Sequence, residues 1–139
     1  MCQSVLNTVN TATEILVANA FVTFSTNNVY QGCNIRHTAG STTVNLVGEG
    51  IYEVTVNADV VPTAAGLFTL QLVKDGVNVV GAEASATGAV GDTSNVSFTT
   101  LIRVARPCAC NPANGASLQV QVDSALTVNN ISMTVVKVA

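Results

Sequence analysis

Alternation with a period of two runs through this chain and constrains its fold more than any other feature. In Tyr52, Val54, Val56, Ala58 and Val60 the side chains are apolar, while Glu53, Thr55, Asn57 and Asp59 lie between them. Successive strand residues face opposite sides, so this segment reads as a strand with one face in a core and the other facing outward. Phe68, Leu70 and Leu72 alternate with Thr69 and Gln71, and Asp75-Gly76 supplies the positive-φ pair of a tight hairpin turn leading into residues 77–86. A small-residue stretch over residues 86–92 precedes Val96, Phe98, Thr100, Ile102 and Val104, and Pro107 closes that strand. Asn114-Gly115 marks a second turn before Leu118, Val120 and Val122, and Asn129-Asn130 reads as a short break before a last strand over residues 132–138. Upstream, residues 15–25, 34–38 and 42–47 read as further strands. The expected fold is all-β, an antiparallel sandwich or jelly roll of nine or ten strands, because turn signals recur every ~8–12 residues and no segment sustains a helical period.

A second layer of the argument concerns what covers the outside. Only 9% of the 139 residues are charged, against about 25% in an average soluble protein. Hydrophobic residues reach 48% and mean hydropathy is +0.46, yet Thr, Ser, Asn and Gln interrupt every apolar run before the ~18 residues of a membrane helix. Residues 15–24 and 77–80 are apolar on both faces; one face suits a core, and the other calls for a partner. The expected partner is the chain itself, in a homo-oligomer with the option of a higher filament. The net charge of −3 and five dispersed cations (Arg36, Lys74, Arg103, Arg106, Lys137) offer no basic stripe for phosphates, so no nucleic-acid partner and no membrane insertion are expected. The first twenty residues lack the basic start of a secretory signal, so a place on an external surface would be reached by lysis or by assembly on a spore.

The chain divides into residues 1–13 and a single domain over 14–139. The first segment is polar, with Val5, Leu6 and Val9 as isolated apolar points. It either packs along its own sandwich or adds as a strand to a neighbouring subunit and links copies.

The runs over residues 50–57 (GIYEVTVN) and 66–76 (GLFTLQLVKDG) resemble the central strands of the C1q/TNF-like jelly roll. More narrowly, they resemble the C-terminal domains of collagen-like glycoproteins on Firmicutes spores and related small phage-encoded proteins. The similarity continues through residues 77–86 (VNVVGAEASA), 97–104 (SFTTLIRV) and 126–138, and spans about residues 15–138. It implies a homotrimer packed around a three-fold axis with a weakly charged centre. The sequence departs from that pattern in lacking a Gly-X-Y stalk, so the domain would serve alone as a head, a decoration subunit of a spore, cell or virion surface (with a surface or capsid protein as a second partner), or a fibre block. A trimeric receptor- or glycan-binding module is the other class the resemblance allows. Some relatives bind calcium, but no Asp/Glu cluster here receives that role.

Catalytic chemistry has little to stand on. Four cysteines, Cys2, Cys33, Cys108 and Cys110, are candidates for disulfides or cross-links within or between subunits; reduced thiols are the alternative, and a zinc site fits poorly because Cys108-Ala109-Cys110 is one residue short of the usual ligand spacing. His37 is the sole histidine and has no nucleophile motif around it. Glu53 and Asp59 share a strand face but are separated by ~20 Å of strand, too far for paired-acid hydrolysis. Residues 88–91 are no phosphate loop, since neither a lysine nor a helix follows. The Asn95-Val96-Ser97 and Asn130-Ile131-Ser132 sequons read as coincidence. No enzyme activity, cofactor or metal is expected.

Overall fold

The computed structural model describes residues 4–104 and 116–139. The Tyr52–Val60 alternation lies in the longest strand, β6 (Gly50–Pro62), whose Tyr52, Val54, Val56, Ala58 and Val60 are all buried. β6 sits in a sheet ordered β3 (Thr26–Gln31), β1 (Val5–Asn10), β11 (Leu126–Lys137), β6 and β9 (Ser94–Val104), with the short β2 (Glu14–Leu16) also pairing β11. A second sheet is ordered β4 (Ile35–Arg36), β5 (Val44–Leu46), β10 (Ala116–Val122), β7 (Gly66–Lys74) and β8 (Val77–Gly88). Every strand pairing is antiparallel. The inward residues of both sheets, among them Leu6, Phe68, Leu70, Leu118, Ile131 and Met133, form one apolar core together with Phe24 from the segment before β3.

The hairpin turn forms as its residues dictate: Asp75 and Gly76 both have positive φ, 52° and 82°. Asp75 does a second job, since its Oδ1 accepts the backbone N–H of Ser117 at 2.8 Å and so ties the turn to β10. Pro107, the Asn114-Gly115 turn, and Cys2, Cys108 and Cys110 lie outside the described residues.

Four expectations change in detail. Residues 15–25 are not one strand: the chain leaves β11 after Leu16, turns at Asn19 (φ 67°) and crosses to the other sheet. There Val22 N–H donates to the Val120 carbonyl and Phe21 bridges Gln121. An unbroken apolar run hid this change of sheet, because both halves bury alternate residues, Leu16 in one and Val22 and Phe24 in the other. At Asn129-Asn130 the strand does not break; β11 runs through with a bulge between Val128 and Asn130, as one extra residue in an antiparallel pair permits. The small-residue stretch after β8 is shorter than 86–92, since β8 continues to Gly88.

The fourth change concerns β1 and β3, which were not evident as strands. Residues 5–10, open between an intramolecular strand and a connector, lie as β1 between β3 and β11 of their own chain. Three of their inward positions are Leu6, Thr8 and Asn10, two of them polar. Each polar group is bonded: Thr8 Oγ1 donates to the Thr26 carbonyl at 3.1 Å, and Asn10 Nδ2 donates to the Thr23 carbonyl at 3.0 Å. The polar pair erased the apolar alternation that would have announced the strand.

β8, at the edge of its sheet, carries a large bulge. Gln71 pairs with Glu83 and Val73 with Asn78, leaving residues 79–82 opposite Leu72 alone. The Gln71 amide holds the bulge by donating to the carbonyls of Leu72 (2.9 Å), Val79 (2.9 Å) and Ala82 (3.2 Å). Gly81, at φ 82°, makes the bend. Val79 packs on the core, and Val80 projects from the tip, 97% exposed.

Candidate functional site

The β3-β1-β11-β6-β9 sheet, with β2 also on β11, has more strands than the other, and the composition of its outer face follows from the register. Across four strands, one row reads Val5, Val136, Glu53 and Leu101; the next reads Asn7, Thr134, Thr55 and Thr99; a third reads Val9, Ser132, Asn57 and Ser97. Asn130, Asp59 and Asn95 complete the top of the face, and Gln31 and Val29 on β3 extend the lower two rows. The residues between these, such as Val54, Val56, Met133 and Phe98, point into the core.

The centre of this face is neutral and internally bonded. Asn7 Nδ2 donates to Thr134 Oγ1 at 2.9 Å and to Ser132 Oγ at 3.4 Å. The Thr55 and Thr99 hydroxyls meet at 3.3 Å. Asn95 Nδ2 donates to Asn57 Oδ1 and Asp59 Oδ1, both at 2.8 Å. Polar groups already bonded to one another lose less on leaving water than free ones, and far less than charges. Apolar side chains rim the face: Leu101 (61% exposed) and Ile51 near one end, and Ile15 (77%) on β2 near the other. A patch of this kind, low in charge with apolar contacts at its margin, is suited to contact with another protein surface.

The residues singled out by sequence are scattered. Cys33 is exposed between β3 and β4. His37 is buried, with Nδ1 2.6 Å from Asn27 Oδ1 and Nε2 3.0 Å from the Ser41 carbonyl. Its ring packs edge-on to Phe24, so it ties β3 to the segment after β4. Glu53 and Asp59 lie on the outer face. Among the described residues no three His, Cys, Asp or Glu side chains gather as a metal site, and no helix is long and apolar enough to cross a membrane. Tyr52, deep in the sandwich, donates its hydroxyl to the Gly48 carbonyl at 2.7 Å, and burial holds its phenol above the usual value.

The neutral face was not evident in the sequence, where the apolar runs at 15–24 and 77–80 looked the better candidates. Its residues come from strands far apart in the chain, and only the pairing register brings them together.

No protein-family description matches the chain, and no curated protein matches it. Solved structures do. Murine APRIL, crystallised at pH 5.0, superposes with a TM-score of 0.75 at 12% identity, covering 98% of this chain and 99% of that one. The globular domain of zebrafish complement 1qA protein gives 0.67 at 12% identity, with 94% of each chain covered. The PRD1 vertex protein P5 gives 0.61 at 16% identity, covering 100% of this chain and 99% of that one. The fold is a C1q/TNF-like jelly roll.

Proposed function

We propose that this chain is a structural subunit that associates with copies of itself, as a homotrimer, and builds or decorates an external surface. The observation that carries the reading is the neutral, self-bonded outer face of the β1-containing sheet. Five strands about 4.8 Å apart and roughly 27 Å of strand length give a projected area on the order of 600 Å². A stable interface needs about 800 Å² of accessible surface per partner, which this face and its apolar rim can supply. Leu101 and Ile15 provide desolvated anchors, and the hydroxyl and amide carpet between them has few charges to strip of water. A vertex protein of a virus among the structural neighbours favours a virion or comparable particle as the surface decorated. A surface or capsid protein is the second partner in that setting. Receptor or glycan display is the second reading, favoured by the C1q-type neighbour. Exposed Cys33, together with Cys2, Cys108 and Cys110, would add covalent cross-links to such an assembly; comparison of reducing and non-reducing gels reads this directly.

The test is native mass spectrometry of the wild type beside Thr134→Lys and Thr55→Lys. Both substitutions put a cation in the middle of the face without touching the core. The wild type should be three chains, and each variant a folded single chain by circular dichroism. A monomeric wild type, or variants that keep the wild-type mass, sinks the reading.

A further inference from the structure

The charged residues, few as they are, are sorted along the strand axis. At the lower end, where β6 begins and β9 and β11 finish, lie Lys74, Arg103 and Lys137, and Arg36 sits one register row in from the lower edge of its sheet. These are all the lysines and arginines among the described residues. Glu49, Glu53 and Asp75 share that half, leaving an excess of one cation there, and Glu83 lies between the ends opposite Gln71. The upper end carries Glu14, Asp59, Asp92 and Asp123 and not one cation among the described residues. In a chain with eight carboxylates, four at one end without compensation make a strongly polar molecule.

Shape follows the same division. The lower end holds a cavity of about 450 Å³ walled by Gly50, Ile51, Val104 and Ala139 and edged by Arg103, Lys137 and Glu49. Lys74 Nζ donates to the Arg103 carbonyl at 3.0 Å and steadies that edge. The upper end projects the loop between β8 and β9, a turn closed by Asp92 N–H on the Ala89 carbonyl at 3.2 Å, with Gly91 at φ 86°. The loop offers an apolar side chain, Val90 (63% exposed), beside the exposed carboxylate of Asp92.

We infer that a second copy docks end to end: the 89–93 loop at the acidic end of one molecule enters the cavity at the end of the next that carries the cations. Val90 would meet Ile51 and Val104, and the Asp92 carboxylate would meet Arg103 and Lys137. The contact is head-to-tail and does not close on itself, so it propagates as a column. The inference rests on the self-association proposed above, since a cyclic trimer with its axis along the strands presents three loops on one end and three cavities on the other. Three weak contacts engaged together hold far better than one. Opposed charges bring the ends together in one polarity and repel the other.

Sedimentation and electron microscopy across salt concentrations test it, with two double variants that spare the hydrogen bonds described here. Arg103→Glu with Lys137→Glu reverses the lower end; Glu14→Gln with Asp92→Lys reverses the loop at the upper end. At about 50 mM salt the wild type should form columns, and at about 1 M, where screening shortens to ~3 Å, it should fall back to single particles. Each double variant alone should stay as single particles at low salt, and an equal mixture of the two should form columns again. Wild-type particles that stay single at low salt overturn the proposal, and so do columns that persist at 1 M or in either variant. The number of chains per particle, read by native mass, reports on the trimer separately: particles of another size that still stack with this charge dependence would leave the end-to-end contact standing and the trimer not.

Discussion

Thr8 and Asn10 point into a sandwich of leucines and valines, and their partners decide whether that is tolerable. Asn10 Nδ2 serves the Thr23 carbonyl, and its Oδ1 accepts the Ala12 N–H at 3.0 Å. Asn10→Leu keeps the branched shape but leaves both backbone groups unpaired, so it should cost about 1–3 kcal/mol, read as a lower urea midpoint with an unchanged slope. Thr8→Val strands one carbonyl and gives up a long 3.5 Å contact with His37 Nδ1, and should cost less. Tyr52 works by the same logic at the other end of the molecule. Tyr52→Phe removes the bond to Gly48 and should cost about 1 kcal/mol at neutral pH. Its phenol is held above the usual value by burial, so above pH ~10 the unfolded chain ionises before the folded one. Wild-type stability is then complete below that pH and is lost as pH rises through the folded value. The variant lacks this loss, so the gap between the two should narrow in alkali.

Among the elements, β1 is the one whose removal reaches furthest, because it pairs with both β3 and β11. Deleting residues 2–13 leaves the long β11 with a bare edge and β3 with no sheet to join. Such a truncation should lower Tm by roughly 10 °C or more, measured by calorimetry on the truncated chain. This element also shows where legibility in the sequence ends. β6, β7, β9 and β10 could be read directly because their inward residues, Tyr52 to Val60, Phe68 to Leu72, Val96 to Val104 and Leu118 to Val122, are overwhelmingly apolar. β1 could not, because Thr8 and Asn10 occupy inward positions and are satisfied by groups 13 to 18 residues away. β3 is exposed along nearly its whole length and has no buried face to betray it. The crossing at Asn19 was invisible for the opposite reason, an excess of apolar residues. The candidate face needed the pairing of Asn7 with Thr134, Thr134 with Thr55, and Thr55 with Thr99, contacts between positions up to 127 apart, and composition hinted only that some such surface existed.

At the scale of the whole molecule, two kinds of surface are set at right angles. The lateral face is neutral across its centre and bonded to itself, with Glu53 and Asp59 only toward its two ends, where the rest of the charge also lies. Salt should therefore act on one and not the other: the chains per particle of the wild type at about 1 M salt should equal those of either double variant, which stays as single particles, at about 50 mM, while the wild-type columns dissolve. A gain or loss of chains per particle over that range would mean that charge, and not the neutral face, holds the lateral contact. A molecule this rich in valine and poor in charge also invites a danger that neither contact addresses, the open margin of β8. An uninterrupted ladder there would let a stranger's strand zip on and recruit another in turn. The four residues bowed out between Asn78 and Glu83, pinned by the Gln71 amide, cut that margin into a stub of two residues and one of six and so shorten the ladder open to a visitor. Val80, standing proud at the bow, is a fence post in the path of any strand that would run the full length of β8.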